Sequence, residues 1–160
     1  MNIFVTHPCP IKSAKYLDNK RVVKMCLETA QMLSTAINEL TNSQFAQYKS
    51  THKNHPCNIW ARKSFANWNW LVRHGLALCD EYQNRYNKEH KCKKVIEDIY
   101  WKTLPISNKI FDNFELTPFA NCARNQGLNI DFTIIKDVFT AYKLYLKARW
   151  KNDKLKPIFL

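Results

Sequence analysis

Between Asp18 and Leu40, apolar residues recur at Val22, Cys26, Ala30, Leu33, Ile37 and Leu40. Steps of three and four follow the α-helical turn, so this segment predicts a long amphipathic helix with one buried stripe. A second stripe runs through Trp68, Leu71, Val72, Gly75, Leu78, Cys79, Tyr82 and Tyr86. It predicts a central helix over 65–86, with Ser64 placed to cap its first amides. A shorter helix is expected over 93–103, ending before Pro105. A last one is expected over 132–150, burying Ile135, Val138, Tyr142, Tyr145 and Leu146. Pro56 suits the first turn of a further helix. Residues 1–10 read as an extended lead-in, 41–53 as a polar loop, and 104–128 as irregular with a turn at Gly127.

Composition supports the helical pattern. Only 2 Gly occur in 160 residues, whereas two-residue hairpins draw heavily on glycine. The expected fold is all-α, a single compact bundle of four to five helices with irregular loops, and 1–160 forms one domain. No run of about 18 apolar residues is available to span a bilayer, and no signal-peptide pattern opens the chain. Six cysteines form neither a CxxC pair nor a compact framework. They read as free thiols of a reducing cytoplasm.

Charge changes the picture most. The net charge of +12 comes from 25 Lys and Arg against 13 Asp and Glu, spread along the chain. Such a field captures polyanions. DNA is the first partner to consider, with RNA, a nucleotide or another anionic small molecule behind it. A basic surface that serves only solubility is the plain alternative. Neither a membrane partner nor a cofactor is expected, and the oligomeric state is left open.

Opposite the first apolar stripe, Arg21, Lys24, Glu28, Gln31 and Thr35 fall within about 60° of Glu28 at 100° per residue. One reading is a solvated face carrying a Lys24–Glu28 pair. The other makes Glu28 a general acid/base beside phosphate-binding cations. In THKNHP, His52, Lys53, Asn54 and His55 suit phosphate or base contacts, with Lys20 and Arg62 as further cations. His52, His55 and Cys57 also offer zinc-ligating atoms, but a fourth ligand is missing and the spacing matches no common site, so no metal is expected. Trp70 lies across its helix from the core stripe, close to Arg73 and His74. It is placed either to stack on a base or to pack beneath another helix.

Three stretches carry a resemblance: MNIF…P…KSAKYLDNKRVVKMCLETAQMLSTA, THKNHPCNIWARKSFANWNWL and ALCDEYQNRY. They resemble a family of small phage-type helical proteins, which are in turn similar to the phage pyrimidine-dimer DNA glycosylase/AP lyases. That resemblance implies a compact, basic, helical enzyme in which an N-terminal α-amine attacks C1′ of a damaged nucleotide, assisted by a glutamate. Glu28 then takes the glutamate's place, seven residues after Arg21, which stands where the family has a histidine. His55 matches a histidine that opens the second helical block. Asn2 departs from the family's small second residue, and its size disfavours removal of Met1. The amine of Met1 becomes the candidate nucleophile, with Lys12, Lys15 and Lys20 as substitutes. With Glu28 and Met1 as the catalytic groups that the resemblance implies, the charge and helix-face readings make Asn2, Lys20, Arg21, Lys24, Gln31, His52, Lys53, Asn54, His55, Arg62 and Trp70 the substrate-positioning candidates. A non-catalytic nucleic-acid-binding accessory protein, and a protein that binds a nucleotide or phosphorylated small molecule, are the rival readings.

Overall fold

The computed structural model describes residues 1–154 and Pro157. Among these residues, five helices of eight or more residues form the frame: α2 (Asn19–Thr41), α3 (Pro56–Lys63), α4 (Phe65–Tyr86), α5 (Cys92–Thr103) and α7 (Val138–Asn152). Two short helices, α1 (Pro10–Lys15) and α6 (Ser107–Ile110), complete the set. The expected helical bundle is what the chain forms. None of its described helices is long and apolar enough to cross a membrane.

Local chemistry accounts for the helix ends. Asp18 caps α2 by accepting from the Arg21 amide at 3.2 Å, and Ser64 caps α4 by accepting from the Asn67 amide at 3.0 Å. Both helices stop at an asparagine in the left-handed conformation, Asn42 and Asn87, a residue type that tolerates it. The stripes read from the pattern are buried, apart from half-buried Leu40, Tyr82, Ile135 and Val138 and exposed Tyr86. Gly75 lets α4 approach α2 and α5 closely: a β-carbon there would lie 2.7 Å from Thr29 Cγ2 and 2.9 Å from Ile96 Cδ1.

The expected last helix begins six residues late, at Val138. Its intended start is tied up elsewhere, because the Asn121 side-chain amide donates to the carbonyls of Phe132, Thr133 and Ile135. Asp137 provides the real cap, accepting from the amides of Phe139 and Thr140. The segment read as wholly irregular contains α6 and the first strand of a small antiparallel ladder, β1 (Arg124–Asn125) paired with β2 (Ile130–Asp131). The lead-in is likewise not extended throughout, since Pro10 starts α1.

The first ten residues thread the bundle. Ile3 and Val5 are buried, and the Pro8 and Pro10 carbonyls are held by α4, through Trp70 Nε1 at 2.7 Å and His74 Nδ1 at 3.1 Å. Burial pushes the His74 imidazole down to about 4, so it is neutral at pH 7. At the opposite end of the chain, α7 docks on the start of α2. Trp150 Nε1 donates to Asp18 Oδ2 at 2.7 Å, and Asp153 pairs with Arg21.

Candidate functional site

The chain start reaches Glu28 because it bends at Phe4, whose φ of 55° lies in the left-handed region. A non-glycine residue there costs about 1–2 kcal/mol. The bend is held by packing and by Asn2. The Phe4 ring lies 5.9 Å from that of Tyr145 in a stacked arrangement and 6.1 Å from that of Tyr142, edge-on. Asn2 Oδ1 accepts from the amides of Ile3 and Phe4 and, at 2.7 Å, from the Tyr142 hydroxyl.

Glu28 is thereby enclosed, its side chain only 12% exposed. Its Oε2 lies 3.8 Å from the Met1 α-amine and accepts from the Asn2 amide at 3.2 Å. Its Oε1 pairs with Lys24 Nζ at 3.0 Å. The group opens on a cavity of about 230 Å³ whose wall carries Lys20, Arg21, Lys24, Arg124 and Arg149. On the charged side of α2, Arg21 and Glu28 are therefore enclosed beside a cation-rimmed recess, while Lys20 and the Lys24 that pairs with Glu28 stay exposed to solvent.

Met1 also borders a second cavity, of about 450 Å³, lined by Asn2, His55, Asn121, Cys122, Arg124 and Thr133. Here Cys57 Sγ donates to Cys122 Sγ at 3.9 Å. That bond, helped by Tyr142, Arg124 and the chain amine against burial, brings the Cys122 thiol down to about 7. Donating to Cys122, and then burial, pushes Cys57 up. Burial, with the Met1 amine and His52 adding to it, lowers the His55 imidazole, while Glu28 opposes the shift.

The sequence candidates divide. Met1, Asn2, Lys20, Arg21, Lys24 and Glu28 meet at the first cavity, and His55 at the second. Arg21, although on the wall, is buried and bound to Asp18 at 2.7 Å and Asp153 at 3.0 Å, so its charge is already used. Gln31 is half-buried one turn beyond Glu28 and borders neither cavity. His52, Lys53 and Asn54 are exposed on a loop beside the site. That loop is anchored to α2 by Thr35 Oγ1, which binds the Thr51 backbone, and to α3 by Asn58, which donates to the Thr51 and His52 carbonyls. Asn58 reaches Met1 Sδ as well, at 3.2 Å. Arg62 braces the loop by donating to the Lys53 carbonyl at 2.7 Å. Trp70 as a base-stacking platform is corrected by its environment. It is 6% exposed, stacked on His74 and edge-on to Trp60, and its indole N–H is bound to Pro8.

Sequence reasoning did not find Phe4, Asn121, Cys122, Arg124, Tyr145 and Arg149 as site residues. Tyr142 and Tyr145 were legible as a buried pair on the last helix, but nothing local joins them to the chain start. The only available signal for Arg124 and Arg149 was their charge.

This arrangement is that of a basic helical protein with an α-amine against a carboxylate in a cation-lined recess. The family model described as pyrimidine dimer DNA glycosylase matches residues 1–94, and the chain belongs to that family. Comparison with curated proteins and with solved structures gives no match. The matched region includes Met1, Glu28 and the THKNHP loop, and stops before Cys122, Arg124, Tyr142 and Arg149.

Proposed function

We propose that the chain is a DNA base-excision enzyme, acting as a glycosylase and AP lyase on damaged or modified bases. The observation that supports this most directly is the Met1 α-amine 3.8 Å from Glu28 Oε2 at the edge of a cation-lined cavity. An amine lone pair is the nucleophile that Schiff-base chemistry at a sugar carbon requires.

In this reading the amine lone pair attacks C1′ of the damaged nucleotide and the C1′–N bond to the base breaks. Glu28 takes the proton that the amine loses and returns it to O4′, while the departing base takes its proton from solvent. Opening of the C1′–O4′ bond leaves an iminium, whose positive charge the carboxylate stabilises. Loss of a C2′ proton then expels the 3′ phosphate by β-elimination. Lys24, Arg124 and Arg149 supply positive charge for the flanking phosphates, and the exposed His52–Lys53–Asn54 loop extends the contact along the strand. A nucleotide must leave the stack to reach the recess.

Borohydride trapping on duplexes carrying an abasic site or a thymine dimer tests the mechanism. A covalent adduct is expected with wild type, and it disappears when the terminus is blocked. Peptide mass mapping then names the amine. Attachment at Asn2 after loss of Met1 also fits, because the Asn2 nitrogen lies 3.2 Å from Glu28 Oε2. Attachment at Lys12, Lys15 or Lys20 overturns the terminal-amine reading. Salt-sensitive DNA binding with neither adduct nor base release establishes the accessory-protein reading instead.

A further inference from the structure

Two clusters among the described residues gather two thiols and an imidazole: Cys26, Cys79 and His90, and His55, Cys57 and Cys122. Within each, the donor atoms lie within 4.8 Å of one another. Their access differs. Cys26 and Cys79 are sealed between α2 and α4, and Cys26 donates its thiol proton to the Val22 carbonyl at 3.2 Å. In the other cluster, His55 and Cys122 stand on the wall of the 450 Å³ cavity, with Cys57 buried behind them.

We propose that His55, Cys57 and Cys122 form a binding site for a thiophilic divalent cation, with Zn²⁺ as the representative ion. Zinc–sulfur bonds of about 2.3 Å at the tetrahedral angle put two ligating sulfurs about 3.8 Å apart. The Cys57 and Cys122 sulfurs are already 3.9 Å apart. The imidazole supplies the third ligand, in the Cys₂His set common to zinc sites, and the cavity gives the ion an entry path and room for water at the fourth position. Binding releases the two thiol protons, with both sulfurs ligating as thiolates and no change of oxidation state. In the present structure His55 Nδ1 accepts from the Cys57 amide at 3.2 Å. Ligation through that nitrogen replaces this bond; ligation through Nε2 retains it.

The consequence is a clamp between distant parts of the chain. Cys57 and His55 sit at the start of α3, while Cys122 precedes β1, 65 residues further on. An ion held by both joins them and stabilises the folded state in proportion to its binding. Cys122, from across the fold, takes the place that the sequence spacing had offered to His52. Ligation by these thiols and the imidazole is independent of whether the chain is a lyase.

The test is titration of the reduced, metal-free full-length protein with Co²⁺, followed by competition with Zn²⁺. One equivalent of Co²⁺ is expected to give thiolate-to-cobalt charge-transfer and tetrahedral ligand-field bands, which Zn²⁺ abolishes while raising Tm. Cys122→Ser and His55→Gln should each weaken binding by about a hundredfold or more, beyond the 10–100-fold typical of outer-shell changes. Cys79→Ser should leave it unchanged. Cys122 lies at the cavity wall, so its variant carries the test even if Cys57→Ser fails to fold, and circular dichroism checks each variant. Absence of the cobalt bands in folded wild type overturns the proposal. So does their survival in Cys122→Ser, or their loss in Cys79→Ser alone.

Discussion

Helix α2 is covered on two sides that differ in what holds them. Toward α4 and α5 it meets Gly75 and Ile96 through Thr29, with a missing β-carbon setting the approach. Toward the chain start and α7 it meets charge: Arg21 between Asp18 and Asp153, and Glu28 between Lys24 and the Met1 amine. On the first side the packing is so close that a single added methyl at Gly75 would meet Thr29 and Ile96 at under 3 Å. Charged groups keep their directional demands, and on the second side they leave a cation-lined recess of about 230 Å³. The side held by shape carries stability, and the side held by charge has room for chemistry.

The largest effect is expected where charge is asked to do chemistry. Glu28→Gln should lower kcat/KM on an abasic-site duplex by about 10²–10⁴-fold, the usual contribution of a positioned acid/base. Affinity for the duplex, measured at fixed salt, should stay within a few-fold. An equal loss of affinity and turnover would make Glu28 a binding group.

Next in size is Arg21→Ala, which leaves Asp18 and Asp153 facing each other without their shared cation. Breaking a buried ion network in this way costs about 3–5 kcal/mol, readable as a lower urea midpoint. A loss below about 1 kcal/mol would show that the carboxylates relax into water.

Gly75→Ala probes the opposite side. With the new methyl meeting Thr29 and Ile96 at under 3 Å, about 1–3 kcal/mol of destabilisation is expected from overpacking. Thr29→Ala in the same chain should recover part of it. Failure to recover would place the strain against Ile96.

The smallest effect separates the two sides by pH. Burial raises the Asp153 carboxyl, but the hydrogen bonds and charges of Arg21 and Lys20 outweigh it and hold the group below its ordinary value. Its folded pKa is depressed, so its contribution is present above the unfolded value of about 3.9 and is lost as pH falls through the folded one. The stability gap between wild type and Asp153→Asn should therefore close below about pH 4, while the Gly75→Ala gap persists. A pH-independent Asp153→Asn gap would contradict the assignment.

How far the sequence could be read depended on how local each interaction is. The start of α4 was legible at Ser64 because a cap involves residues three apart. Val138 was not legible as the start of α7, because Asn121, more than ten residues away, claims the carbonyls of Phe132, Thr133 and Ile135. Trp70 was ambiguous for a related reason. Helical periodicity shows which way a ring points and is silent about the segment, Pro8–Pro10, that covers it. Glu28 was found because it shares one helix face with Lys24. Arg124, Arg149 and Cys122 come from segments with no periodic relation to that face.

By itself, then, the sequence determined the helical class, the buried stripes, the strong positive charge and the charged face of α2 that carries Glu28. All of these follow from residue type and from spacings within one element. Only the tertiary structure decided that the bend at Phe4 carries an amine to Glu28, that Arg21 is spent on two carboxylates, and that Cys122 stands beside Cys57 and His55. Those outcomes depend on which distant segments meet when apolar surface is buried. Contacts between residues 26, 65 or 132 positions apart leave no periodic mark along the chain.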